Sequence, residues 1–393
     1  MTAPDVAVVG GGVIGLGVAW RCAQRGLRVT VVAPEGPAAA SGAAALPGSA
    51  PEAEAVVPGG ASAVAAGMLA PVTEAHFGEL PLLRLALESA RRWPEFAAEL
   101  AAASDTDLGY RTDGTLLVAY TDDDLREVER LHRFYRSLGL PAEAVTGREC
   151  RARMPLLAPR IRGGMYAAGD HQVDPRRLTA ALRRAATRAG VTFDRRRVDD
   201  LAELEAGQIV LAAGAESARL ADLPVRPVKG QILRLRTGAA AGFALTVRAL
   251  STSRSVYLVP RADGEVVVGA TVEERGDRTV TAGGVQELLR AAIDVVPEVS
   301  EYQLVETAAG LRPGTPDNAP LLGRLDDRVV AATGHYRQGI LLAPVTADTI
   351  LTVVIGGTPD EIAPFHPHRF APGASPATTQ PAAAERAVRE VAR

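Results

Sequence analysis

Arg312 is the single basic residue of GLRPGTPDNAPLLG (310–323), a stretch otherwise rich in small and turn-forming residues. A guanidinium in such a setting serves either a structural ion pair or a carboxylate clamp, since its planar fork matches a carboxylate in bidentate geometry. Near the N-terminus, Gly10-x-Gly12-x-x-Gly15 lies between an apolar run and a helical period, with Val13 and Ile14 opening that helix. Gly10 suits a tight turn, Gly12 a close backbone approach to a pyrophosphate, and Gly15 close packing of helix on strand. The motif points to a dinucleotide and leaves NAD and FAD open.

Three further stretches are small where a flat ligand would need them small. ASAVAAGMLAP (61–71) carries Ala65, Ala66, Gly67, Met68 and Leu69. It is either a loop packed tightly between elements or a backbone passing a ligand face. IVLAAGAES (209–217) runs from a strand into a turn at Ala213 and Gly214. ATGHYRQGILLAP (332–344) reads as strand, turn and helix start, with Gly334, His335, Arg337, Gly339, Ile340 and Leu341 at the turn. A helix N-terminus there favours an anionic part of a ligand, and capping by Thr333 or His335 is the plainer account. There is no recognisable nucleophile elbow, HExxH or P-loop lysine, and the six histidines are scattered. Hydrolase and metalloenzyme chemistry have no support, and no metal ligands are assigned.

The elements that must position these residues follow from periodicity. Strands are expected at 5–9, 28–32, 114–120, 191–193, 209–212 and 329–332, and three alternating ones within 225–275. Helices are expected at 14–25, 80–100 with a kink or break at Pro94, 122–138, 175–189 and 285–295, with a long apolar helix after 334. Residues 36–60, almost all Ala, Gly, Pro and Ser, read as a disordered surface insertion. The tail from 367, and above all from Pro372, reads likewise. The order suggests an α/β chain with a discontinuous cofactor domain (1–82, 150–224, 306–366). A second, sheet-based α+β domain (83–149, 225–305) is inserted into it.

The 393 residues are 47% hydrophobic with formal net charge −3, enough for two cores and no invitation to nucleic acid or an anionic membrane. Only Cys22 and Cys150 are present, so no disulfide framework or zinc cluster is suggested. No apolar run reaches the roughly 18–20 residues of a membrane span, and the first strand begins too early for a signal peptide. A cytoplasmic protein without membrane or nucleic-acid partners, and a homo-oligomer, is expected.

Together AAGMLAP (65–71), VKGQ (228–231), YLVPR (257–261), VVVGAT (266–271) and the two stretches at 310–323 and 332–344 resemble the D-amino-acid oxidase family of flavoproteins. Within it they are most similar to glycine oxidases of the thiamine-biosynthesis type. The resemblance covers about residues 5–365 less the insertion. It implies a Rossmann-type FAD-binding domain, a substrate domain on a mixed or antiparallel sheet, non-covalent FAD, and a small amino acid and O2 as reactants. By position, Arg312 corresponds to the arginine that pairs the substrate carboxylate, Tyr257 to the tyrosine that assists it, and Arg337 to a second active-site arginine. Residues 65–69 would pass the flavin ring, 334–341 would lie near its pyrimidine end, and Val198 would meet adenine through its backbone.

The sequence departs from that pattern at four places. Ser255 stands where glycine oxidases can carry histidine, and Val272 where they can carry methionine. Glu216 replaces an aromatic residue, and Ala33 replaces the acid that holds the adenosine ribose; Glu35 is the nearest carboxylate. One ribose hydrogen-bonding pair is worth about 1–3 kcal/mol, which an extended cofactor with many backbone contacts tolerates. These differences bear on pocket shape and substrate range rather than on reaction type.

Overall fold

The computed structural model describes residues 3–34, 60–238, 243–250, 255–371 and 388. The insertion read at 36–60 therefore lies outside the described residues except for Gly60, as do Glu35 and nearly all of the tail beyond 371.

Val6–Val9, Val29–Val32, Thr192–Asp194, Gln208–Leu211 and Val329–Thr333 form a parallel sheet with Val6–Val9 near its middle. Leu321–Arg324 adds an antiparallel edge strand, making six. These runs are short, β-branched and buried on both faces, as a sheet covered on two sides requires. Helices Val13–Gln24, Leu80–Ser104, Pro175–Arg188 and Ala343–Val354 pack around one core on this sheet, with Trp20, Trp93 and Phe96 inside it. Cys22 lies in the same core, whereas Cys150 lies in the core of the second sheet.

The second sheet has eight strands, in the order Gln303–Gly314, Arg226–Arg236, Glu265–Gly269, Val256–Pro260, Thr246–Ala249, Thr115–Ala119, Gly163–Ala167 and Glu143–Thr146. All neighbours are antiparallel except Thr246–Ala249 with Thr115–Ala119. Helix Ala282–Val295 covers one face and Asp122–Ser137 the other. The fold is mixed α/β, as expected.

Several elements differ from the sequence reading. Gly163–Ala167 and Gln303–Gly314 stand in the eight-stranded sheet, so boundaries at 150 and 306 do not coincide with the division between sheets. Leu80–Ser104 runs unbroken through Pro94, because Trp93, Phe96 and Ala97 are buried around the lost backbone bond. It ends at Asp105 in a left-handed conformation. The stretch after Gly334 is a series of turns, and the apolar helix begins only at Ala343, with Pro344 in its first turn. Neither Thr333 nor His335 caps it; Leu342 holds the cap position without a side-chain bond. Pro367–Phe370, read as tail, forms a 3-10 turn tied down by Arg369, whose guanidinium reaches Asp317 at 2.8 Å.

Candidate active site

A cavity of about 640 Å3 runs from the glycine turn at Gly10 to Arg312 and Tyr257 on the eight-stranded sheet. At its first end the motif does what its spacing suggests. Gly10 has φ +124°, and a Cβ there would stand 2.2 Å from the Ala212 carbonyl oxygen. A Cβ on Gly15 would stand 2.0 Å from the Gly10 oxygen, so Gly15 packs the helix and does not line the cavity. Gly12, Val13 and Ile14 do line it. No acidic side chain occupies the first turn of Val13–Gln24, whose N–H groups and dipole suit an anion. Ser62 Oγ accepts from the Val13 N–H at 3.1 Å, a contact across 49 residues that the sequence did not disclose.

Ala33 and Pro34 form the wall at the position of the missing ribose acid. The described carboxylate on this wall is Glu216, which pairs with Arg197 at 3.4 Å. Val198 lines the cavity with its carbonyl accepting from Arg219. Ala213 and Gly214 form the adjacent turn, and the Gly214 carbonyl accepts from Thr333 Oγ1 at 3.2 Å.

Ala65, Ala66, Gly67 and Met68 pass along the middle of the cavity, while Leu69 points into the core. Gly67 has φ +81°, and a Cβ would meet the Val173 oxygen at 1.9 Å. Ala66 packs on Ile232, Val259 and Val267 of the eight-stranded sheet. Its carbonyl accepts from buried Arg261, whose guanidinium also donates to Val173 O at 3.1 Å. Burial pushes the Arg261 pKa down to about 10. Along the 332–344 stretch His335, Arg337, Gly339 and Ile340 line the cavity. Gly334 packs on Thr315, and Leu341 is buried with its carbonyl accepting from Trp93 and Ser89, so neither reaches the cavity wall. His335 is buried, its Nε2 lies 3.0 Å from Thr346 Oγ1, and burial lowers its pKa to about 3, so it is neutral. Arg337 is exposed at the rim, with its guanidinium 4.9 Å from the Tyr336 ring.

Arg312 sits on a strand rather than in a turn, opposite Val228 near the end of Gln303–Gly314. Its Nη1 donates to Thr271 O at 3.1 Å and more weakly to Lys229 O at 3.4 Å. No carboxylate among the described residues pairs with it, although it is more than half buried. Among the described residues structural ion pairing therefore does not account for this charge. Tyr257 lies on Val256–Pro260, and burial raises its pKa, so the phenol keeps its proton to donate.

Beside them stand Arg248, cross-strand from Tyr257, and Glu74, paired to Arg248 at 3.4 Å. Both line the cavity, and the sequence reading missed both. Glu74 is held by a buried anchor: the Asp170 carboxylate accepts from the N–H groups of Val72 and Thr73 at 3.0 and 2.9 Å. Burial raises the Asp170 pKa to about 6 against those bonds. Ser255 and Val272 line the same end. Val272 and Arg278 come from a loop pinned by fully buried Lys229, whose Nζ reaches Asp277 at 3.0 Å and Glu273 at 3.4 Å. Among the described residues no group of three or more His, Cys, Asp or Glu could hold a metal, and no helix is long and apolar enough to cross a membrane.

The chain matches the family model DAO, FAD dependent oxidoreductase, over residues 5–46 and 52–351. It is 33% identical over 385 residues to the glycine oxidase of Geobacillus kaustophilus (strain HTA426), covering 92% of this chain and 96% of that one. A crystal structure of glycine oxidase from Geobacillus kaustophilus superimposes with TM-score 0.84 and 32% identity, over 94% of this chain and 99% of the other. The bifunctional protein ThiO/ThiG of Synechocystis sp. is 33% identical over 97% of this chain, which spans 55% of that longer protein. The hydrogen cyanide synthase subunit HcnC of Pseudomonas aeruginosa is 30% identical over 94% of this chain and 96% of its own. The glycine turn, the cavity and Arg312 beside Tyr257 agree with these likenesses. The chain belongs to the FAD dependent oxidoreductase family, as an enzyme of its glycine oxidase/ThiO type.

Proposed function

We propose that the chain oxidises a small amino acid, glycine first, with O2 as the final acceptor. The observation that carries this reading is Arg312: a half-buried guanidinium, without a carboxylate partner among the described residues, facing the cavity beside the half-buried phenol of Tyr257. Its fork receives the substrate carboxylate, and the Tyr257 hydroxyl donates to the same group. Glycine has no side chain to grip, so this clamp provides most of its binding and all of its orientation. Around the clamp the wall is mixed, with Ile232, Val256, Ala270 and Leu311 beside Glu74, Arg248 and Ser255.

FAD fits the residues present. The cavity is one long channel, its first end has a helix start without an acidic residue over a glycine turn, and its middle is lined by Ala65 to Met68. Gly10, Gly12, Val13 and Ile14 would hold the pyrophosphate, Val198 and the Ala213–Gly214 turn the nucleoside, and residues 65–68 and 335–340 the ring. Bound there, FAD would supply the two-electron chemistry, taking a hydride from the substrate Cα and passing the two electrons to O2, which would leave as hydrogen peroxide. The imino acid left behind hydrolyses to glyoxylate and ammonia. The cofactor is non-covalent. His335, the histidine on the cavity wall, has its Nε2 engaged with Thr346, and both thiols lie in the two cores.

The test is direct. The purified protein is expected to be yellow, to release its flavin on acid precipitation, and to bleach when glycine is added without air. With air, hydrogen peroxide should accumulate in proportion to glyoxylate. Faster bleaching by sarcosine or D-alanine than by glycine would reassign the substrate. Bleaching without peroxide in air would make the chain an oxygen-independent dehydrogenase, and no bleaching by any of the three would overturn the proposal.

A further inference from the structure

Gly230 is a strand residue whose own backbone does not require glycine. It lies inside Arg226–Arg236, paired with Gly310, and its φ is not in the left-handed region. Glycine inside a strand costs stability, so its presence there marks a close approach of something else. The structure shows what approaches. A Cβ on Gly230 would stand 2.3 Å from Nη1, 2.4 Å from Nη2 and 2.5 Å from Cζ of Arg312, and these are its three nearest atoms. Gly269 stands in the same relation to Tyr257, its cross-strand partner: a Cβ would meet Oη at 2.3 Å and Cζ at 2.4 Å. Both groups proposed to hold the substrate carboxylate thus lie flat on a glycine of a neighbouring strand.

We infer that Gly230, with Gly269 in a parallel role, is a positioning residue: its missing side chain sets how deep the Arg312 fork lies in the cavity. This rests on the carboxylate-clamp reading of Arg312 above. A methyl group at 230 collides with the end of a flexible side chain, not with backbone. The strand therefore keeps its pairing, and the guanidinium is pushed off the sheet toward the cavity. A carboxylate can then no longer meet both nitrogens and the Tyr257 hydroxyl together.

The experiment is a double-mutant cycle on the flavin-loaded protein, using Gly230→Ala, Arg312→Ala and the pair. Three quantities are read: acetate affinity from the shift of the flavin spectrum, kcat and KM for glycine, and melting temperature. Gly230→Ala should keep its flavin, lose at least tenfold in acetate affinity and raise KM for glycine by a similar factor. Added to Arg312→Ala, it should change kcat/KM by less than twofold. Equal losses in both backgrounds would mean that Gly230 serves the fold, and no loss with Arg312 present would mean that the fork is free to move; either overturns the inference. If Gly230→Ala alone fails to fold, a folded double variant supports the inference and an unfolded one overturns it. A wild-type flavin that responds to neither acetate nor glycine overturns the proposed function instead. The coupling of the two substitutions in melting temperature then still decides whether the guanidinium needs the glycine.

Discussion

Arg312→Ala is expected to lower kcat/KM for glycine by ten- to a hundredfold while flavin content stays near normal. A charge-assisted bidentate pair in a closed site contributes about 1.5–3 kcal/mol, and each 1.4 kcal/mol is about a decade in rate. The stability cost should be modest, because among the described residues the side chain bonds the carbonyls of Thr271 and Lys229 and the Tyr257 hydroxyl, and the Lys229 carbonyl also accepts from the Glu273 N–H at 3.0 Å. Arg312→Lys should recover only part of the loss, since an ammonium cannot reproduce a planar fork. Steady-state kinetics, flavin absorbance and thermal melting on the same two variants are sufficient. An unstable, flavin-poor Arg312→Ala with normal KM in the surviving fraction would show that the arginine holds the sheet and not the substrate.

The second large effect is expected at the other end of the cavity. Gly10→Ala places a methyl group 2.2 Å from the Ala212 oxygen on a backbone with φ +124°. Here the obstacle is backbone. Ala212 N donates to Val9 O at 2.8 Å and Gly10 N to Val32 O at 3.0 Å, so three strands converge at this point. Overpacking and the unfavourable φ together should cost about 3 kcal/mol in the apo protein. Bound flavin should fall to a small fraction of wild type. Gly26→Ala is the control. Gly26 also has positive φ, +86°, but nothing lies within 4 Å of its Cβ, so about 1 kcal/mol should be lost and the flavin kept. Equal flavin contents in the two variants would remove the role given to the Gly10 turn.

What the sequence disclosed was what is local. The Gly10 turn, the helices expected at 122–138 and 175–189 and the strands of the parallel sheet carry their signals within a few residues, and the structure has them there. Gln303–Gly314 was opaque for the opposite reason. Gly310, Pro313 and Gly314 read as turn residues, yet the segment pairs along its length with Arg226–Arg236. It is an edge strand, where a proline without an N–H is tolerated. Arg312 was legible as an unusual charge, but its lack of a carboxylate partner among the described residues is a fact of three dimensions. Arg248 and Glu74 lie 174 positions apart and carry no motif; only the sheet and the Asp170 anchor bring them to one wall. Ser62 was in view as one more small residue, and its bond to Val13 needed the fold to be seen.

The two cysteines offer a clock for the opening of this fold. Cys22 belongs to the core of the parallel sheet and Cys150 to that of the eight-stranded one, and burial raises their thiol pKa values to about 12 and about 11. Neither presents a thiolate to an alkylating reagent at neutral pH while its core is closed. Each modification therefore counts one excursion of one core. Equal labelling rates at the two positions, followed by mass spectrometry, would mean that the halves of the molecule open as a single cooperative unit. A faster Cys150 would mean that the sheet bearing the clamp breathes while the sheet beneath the glycine turn stays shut.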